Sequence, residues 1–260
     1  MLGLLLFVPV FLLLFDSINF QGFIVKENSA IGYLPAGRLI SATGVLMLVW
    51  AFFSYAIYFF TSPGVPLCFP PLTGCVAIST AGTYGEIASI FYRATVLPAV
   101  SFLAVSAYFI IQYLSSLGLK TLPALDKIRF LTGVVVTPFS LIVAEAILNG
   151  YSTSGVFEEL HIQFSGLAFL GIIIFQLLVA YPLLKSQASW GNRVLFCLPA
   201  CALLLGLLGS GLFNSRIVAW NVFVLVAVWL VFMGRKVSSS LPPGKIEAGP
   251  GLTPGSSAGL

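Results

Sequence analysis

The sequence predicts an all-α, polytopic transmembrane helix bundle, and three observations carry that prediction. Only 8% of the 260 residues are Asp, Glu, Lys or Arg, against about 25% in a soluble domain. Apolar residues make up 59% of the chain, and the mean hydropathy is +1.06. Six apolar stretches reach or approach the ~20 residues that cross about 30 Å of hydrocarbon as a helix. They run over Leu39–Phe60, Ala94–Leu114, Phe130–Leu148, Phe164–Leu184, Val194–Phe213 and Ile217–Met233. None alternates with the period of two that a membrane barrel strand needs, and a helix satisfies its own backbone in lipid.

The last stretch is short but uncharged, and Arg216 and the Arg235-Lys236 pair flank it. Pro98, Pro138, Pro182 and Pro199 stand within or beside spans and can kink them. Residues 1–25 form a separate apolar N-terminal segment, interrupted by Pro9. Without a leading Lys or Arg it makes a poor signal peptide. Two readings stay open: a seventh span reaching about Val25 despite Asp16, Asn19 and Gln21, or an interfacial segment. Residues 26–236 then form one six-span membrane domain. Residues 237–260, rich in Ser, Pro and Gly, lack the apolar residues to bury a core and read as a disordered tail.

Charge placement orients the chain. If the first long span starts in the cytosol, ten of the twelve basic residues face that side. They are Lys26, Arg38, Lys120, Lys127, Arg129, Lys185, Arg193, Arg235, Lys236 and Lys245. Only Arg93 and Arg216 fall on the other. The positive-inside rule therefore puts the C-terminus in the cytosol. Basic residues scattered one to three at a time between apolar runs exclude a nucleic-acid surface. A single histidine cannot build a bis-histidine haem or a multi-histidine zinc site, so no metal or other cofactor is expected.

Polar chemistry gathers on the non-cytosolic side. The loop from Thr61 to Arg93 carries Glu86 and Arg93, and residues 149–163 carry Glu158, Glu159 and His161. Glu145 lies inside the third long span, about one turn from its outer end. A charged group at such depth is costly and normally lines a polar cavity or finds a partner. An outer-leaflet pocket of Glu86, Arg93, Glu145 and His161 is the expectation, against the plainer reading of headgroup-level loop residues. Cys68 and Cys75 occupy the outer loop, where a disulfide can form. Cys197 and Cys201, at i and i+4, suit packing at a helix interface.

Several enzyme signatures fail on inspection. Glu158-Glu159 has no arginine at the spacing of an intramembrane metalloprotease, Ser152–Gly155 lies in a loop, and no phosphate-cradling glycine loop exists. No catalytic residue is therefore assigned. A transferase using His161 as general base remains an alternative that lacks a second partner. A structural or assembly subunit of a larger membrane complex, with 14% aromatic residues for lateral packing, is the other.

Two stretches carry a resemblance. Ile78-Ser79-Thr80-Ala81-Gly82 leads through Tyr84-Gly85-Glu86 to Ile90-Phe91-Tyr92-Arg93, and Ile142-Val143-Ala144-Glu145 precedes a short loop closing at His161. These resemble the six-span family of the damage-regulated autophagy modulators, the FGF-receptor-activating protein and the Golgi factor for GPI-anchor lipid remodelling. Gly85 stands where that family carries a proline, and the N-terminal apolar segment is extra. The resemblance implies work on membrane lipids, either GPI-anchor remodelling or autophagy-linked membrane organisation. It also implies an endomembrane (Golgi, ER or lysosome) or plasma-membrane location. The candidates it carries over are Ser79, Gly82, Glu86, Arg93 and His161; Glu145 joins them on burial cost alone. Expected partners are membrane lipids and other membrane proteins.

Overall fold

A computed structural model of the protein describes residues 33–79, 86–119, 123–149, 155–212 and 214–240. The N-terminal segment and most of the C-terminal tail lie outside the described residues. Eight α-helices and one π-helical turn account for nearly all of the described chain. They are α1 (Tyr33–Thr61), α2 (Pro70–Thr73), α3 (Glu86–Ser116), α4 (Pro123–Phe130), the π-turn Leu131–Val136, α5 (Thr137–Asn149), α6 (Gly155–Ser186), α7 (Trp190–Leu212) and α8 (Ser215–Ser239). Among the described residues, six continuous helical runs are long and apolar enough to span a bilayer, with α4, the π-turn and α5 forming the third. The predicted fold class holds.

Spans consecutive in sequence pack side by side, and α8 returns to pack extensively on α1, so the six close into a ring. The α1–α8 seam is made of small residues. A Cβ on Gly37 would come within 2.7 Å of the Gly234 carbonyl oxygen, and one on Gly234 within 2.5 Å of the Gly37 carbonyl oxygen. Ser41 Oγ donates to the Val231 carbonyl at 3.2 Å across the same seam. Between helices in a bilayer, where no hydrophobic drive operates, such backbone proximity is what holds the pair.

The outer surface is apolar, as lipid requires. Val45, Val49, Phe53, Leu97, Leu204, Leu207 and Leu208 are all exposed. The fifth span is the least enclosed, with 22% of its window buried against 56% for the sixth. Cys197 and Cys201 are exposed on it, which corrects their expected place at a helix interface. That helix packs through Leu195, Pro199 and Ala202 instead, a face that leaves both cysteines pointing outward.

Prolines inside spans free a carbonyl four residues earlier, and two buried side chains answer them. Pro182 frees Leu178, whose carbonyl accepts from Arg129 Nε at 3.0 Å and Nη2 at 2.8 Å. Arg129 is buried, and its Nη1 pairs with Asp126 at 2.5 Å. Pro199 frees Leu195, whose carbonyl accepts from Trp229 Nε1 at 2.7 Å. Pro138 follows the π-turn, where Thr137 donates both its backbone N–H and its hydroxyl, the latter at 2.6 Å, to Thr132 O. The π-turn also brings Gly133 against Phe175, whose Cδ2 would lie 2.5 Å from an added Cβ.

Several boundaries differ from the sequence expectation for one reason. Helices α3 and α6 begin about two turns earlier than the apolar runs, and α8 continues through Ser239 with Val237 buried. Polar residues are admitted to a helix once it leaves the hydrocarbon, so hydropathy marks the lipid-facing length and not the helix end. Arg93 and His161, expected in a loop and at a helix start, therefore stand inside helices.

Arg129→Ala should cost about 1–3 kcal/mol, the penalty of a buried carbonyl left unsatisfied. In a Pro182→Ala background, where residue 182 regains its N–H, the same substitution should cost measurably less. Thermal unfolding of the four proteins of this cycle in detergent checks the coupling, and additive losses would refute it.

Candidate functional site

The first loop is docked, not trailing. Cys68 and Cys75 are disulfide-bonded, with Cα atoms 6.7 Å apart. Tyr55 of α1 reaches into the loop, its hydroxyl donating toward Pro66 O at 2.8 Å and accepting from Cys68 N at 3.2 Å. From α8, Trp220 Nε1 donates to Val76 O at 2.7 Å and Asn221 Nδ2 to Pro71 O at 2.7 Å. Arg216 Nη1 donates to Cys75 O at 3.4 Å. Gly74 ends the short helix α2 with φ of 60°, and a Cβ there would come within 2.6 Å of Ile217 Cγ1. Glycine is thus required for conformation and for space. Chain entry, disulfide and two tryptophan- and tyrosine-based anchors hold this loop across one end of the ring.

Beneath it lies a cavity of about 830 Å³ walled by α1, α3, α5, α6 and α8. On α3 it extends from Tyr92 to Leu103 and on α1 from Tyr58 to Met47. At 1.5 Å per residue each stretch is about 16 Å deep, half of a bilayer's hydrocarbon. Pro63–Pro66 and Cys75–Ser79 of the loop form its rim, with Glu158, Ser215 and Arg216. Its floor is apolar: Val100, Leu103, Ile172 and Val226.

Halfway down sits the polar cluster. Tyr92 donates its hydroxyl to Glu145 Oε1 at 2.8 Å. The Tyr92 ring packs on Trp50, centroids 4.7 Å apart, and Trp50 packs on Phe223 at 6.1 Å. Trp50 Nε1 is buried without a hydrogen-bond partner. His161 Nδ1 lies 3.1 Å from the Ala144 carbonyl, and Ser165 Oγ lies 3.5 Å from His161 Nε2. Ile162 and Gly166, one residue further along α6, also line the cavity, and both are exposed. At that stripe the cavity wall is exposed.

Of the predicted residues, Ser79, Glu145 and His161 come together on this cavity. Arg93 is exposed on α3 and does not line the cavity, but its charge lies close enough to act on the Glu145 carboxylate. A long cationic side chain two turns from a helix end keeps its charge in the headgroup layer by extending outward, which accounts for the difference. Gly82 and the side chain of Glu86 lie outside the described residues. Tyr92, Trp50 and Ser165 were missed, since an aromatic or a serine within an apolar run carries no signal of which helix face it occupies; Arg216, placed on this side by its charge, was not among the site candidates.

Comparison with family models, with characterised proteins and with solved structures finds no match for this chain.

Gly74→Ala should undock the loop, because it combines left-handed strain with a clash against Ile217. Reduction of the disulfide should lower stability as well, by roughly 2–3 kcal/mol for a loop this short. Melting curves with and without reductant, for the natural chain and for Gly74→Ala, check both effects. A reductant-insensitive melt of the natural chain would contradict the second.

Proposed function

We propose that this protein binds membrane lipid in the cavity under its first loop, as a lipid-handling membrane protein. The observation that carries the reading is the cavity's polarity gradient together with the exposed Ile162 and Gly166 on its α6 wall. Arg216 and Glu158 stand at the rim, Glu145, His161 and Ser79 below them, and aliphatic residues fill the floor. An amphiphile entering past Ile162 and Gly166 would place its chain on the apolar floor without leaving the hydrocarbon. Its headgroup would then meet Arg216, a natural partner for a phosphate. About 830 Å³ falls in the usual range of small-molecule sites, roughly 300–1,000 Å³.

Orientation supports an outer-leaflet site. Among the described residues, Arg38, Lys127, Arg129, Lys185, Arg193, Arg235 and Lys236 lie at the end of the bundle opposite the disulfide loop. The positive-inside rule assigns that end to the cytosol and the cavity to the far side, where a disulfide is stable. The similarity of residues 78–93 and 142–161 to the six-span lipid-remodelling family points the same way. GPI-anchored or other outer-leaflet lipids in an endomembrane or the plasma membrane are the substrates that this reading favours.

A phospholipid carrying a photoactivatable group midway along one acyl chain should crosslink to α3 or α6 residues of the cavity floor. Ala99→Trp, which fills the cavity from α3, should reduce crosslinking about tenfold or more, a loss of about 1.4 kcal/mol or more. Arg216→Ala should weaken capture of anionic lipids more than of lipids without a phosphate. Crosslinking confined to the outer surface, and unaffected by Ala99→Trp, would overturn the assignment.

A further inference from the structure

We infer that Ser165 and His161 form a nucleophile–base pair able to take an acyl group from an ester-linked lipid held in the cavity. The inference rests on the lipid-binding reading of the same cavity and adds chemistry to it. It begins with the histidine's tautomer. A carbonyl oxygen can only accept, so the 3.1 Å contact with Ala144 O puts the imidazole proton on Nδ1. In the neutral ring Nε2 is then the free lone pair, and Ser165 Oγ is the group in front of it, at 3.5 Å. Ser165 therefore donates to His161, and a backbone carbonyl from the third span fixes the ring's orientation. An orienting acceptor, a base and a hydroxyl in that order are what activates a serine. Such contacts are commonly long before substrate arrives and tighten in the complex.

The surroundings suit an ester. His161 and Ser165 are partly buried on the cavity wall, immediately beside the exposed Ile162–Gly166 stripe through which a chain would enter. The spacing of four residues on α6 holds the two side chains on one helix face.

The step balances without a co-reactant beyond the ester. Ser165 Oγ attacks the carbonyl carbon as its proton passes to His161 Nε2, and the C–O bond to the lipid alcohol then breaks. The alcohol leaves with the proton from His161, and Ser165 carries the acyl group. A hydroxyl acceptor, either water or the alcohol of a second lipid, reverses these transfers and restores the serine.

The full chain in phosphatidylcholine nanodiscs should react covalently with a long-chain alkyl fluorophosphonate, at Ser165 by peptide mass spectrometry. Ser165→Ala should abolish the labelling, and His161→Gln should slow it by about 100-fold or more, the usual contribution of a general base. Ser165→Cys provides an independent arm: its turnover of a nitrophenyl alkanoate should become sensitive to iodoacetamide, where that of the natural chain is not. Released fatty acid, against acyl chains moved to a labelled monoacyl lipid, distinguishes water from a lipid alcohol as acceptor. Photo-lipid crosslinking of the unmutated protein in the same discs separates the two readings. Crosslinking without fluorophosphonate labelling would overturn the acyl transfer and leave lipid binding standing; absence of both would overturn both. Labelling that survives Ser165→Ala would also refute the assignment.

Discussion

Everything in this structure answers to one constraint: inside hydrocarbon no water is available to satisfy a backbone carbonyl or amide. A regular helix meets it automatically, and each departure from regularity must bring its own partner. Arg129 for the carbonyl freed by Pro182, and Trp229 for the one freed by Pro199, are such partners. Asn192 does the same at the α6–α7 turn, where its Nδ2 donates to Leu183 O at 2.8 Å and Gln187 O at 2.6 Å. Each of these donors comes from a different span or turn than the break it mends. The breaks therefore tie the ring together instead of loosening it. This explains why Arg129 can be buried in a membrane protein: its guanidinium spends two N–H groups on the carbonyl that Pro182 frees and a third on Asp126.

The same constraint shapes the opposite end. The first loop crosses the mouth of the ring as irregular backbone, and irregular backbone near a membrane survives only where protein or water-filled space satisfies it. Val76 O and Pro71 O are met by Trp220 and Asn221, and Pro66 O by Tyr55. With the disulfide these fix the part of the rim that the loop contributes to the cavity. Cavity and loop are thus one construction. The polar residues of the cavity line a space that the loop helps to rim.

The six spans were legible because apolar run length is a direct consequence of bilayer thickness, and no packing information is needed to read it. The disulfide was legible from compartment and spacing. Glu145 was legible because a lone acid in a span has few tolerable places. What hydropathy could not convey was azimuth. Arg93 and Tyr92 are neighbours in sequence, yet Arg93 is exposed while Tyr92 is buried and donates to Glu145. A residue-by-residue match to a family motif carries both across as equals, and only helix rotation separates them. Ser165 was invisible for the same reason, since four residues after a histidine is a meaningful distance only once the segment between is known to be helical. The helix starts were misplaced by two turns, and that error hid the pairing.

A single rotation of α6 therefore decides several properties at once. It puts Ile162 and Gly166 on the exposed stripe, His161 and Ser165 on the stripe beside it, and Ala168 and Ile172 on the buried wall. Gly171 fixes that rotation, since an added Cβ there would lie 2.8 Å from Thr137 Oγ1 on α5. Thr137 is in turn held by its bonds to Thr132 O across the π-turn. A π-turn inserts a residue into the helical register and so sets back everything after it, including Ala144 and Glu145, by about 100° relative to an unbroken helix. Without that insertion the Ala144 carbonyl would not face His161, and Glu145 would not face Tyr92. The irregularity ahead of Pro138 thus does more than accommodate a proline: it sets the register on which the polar cluster of the cavity depends.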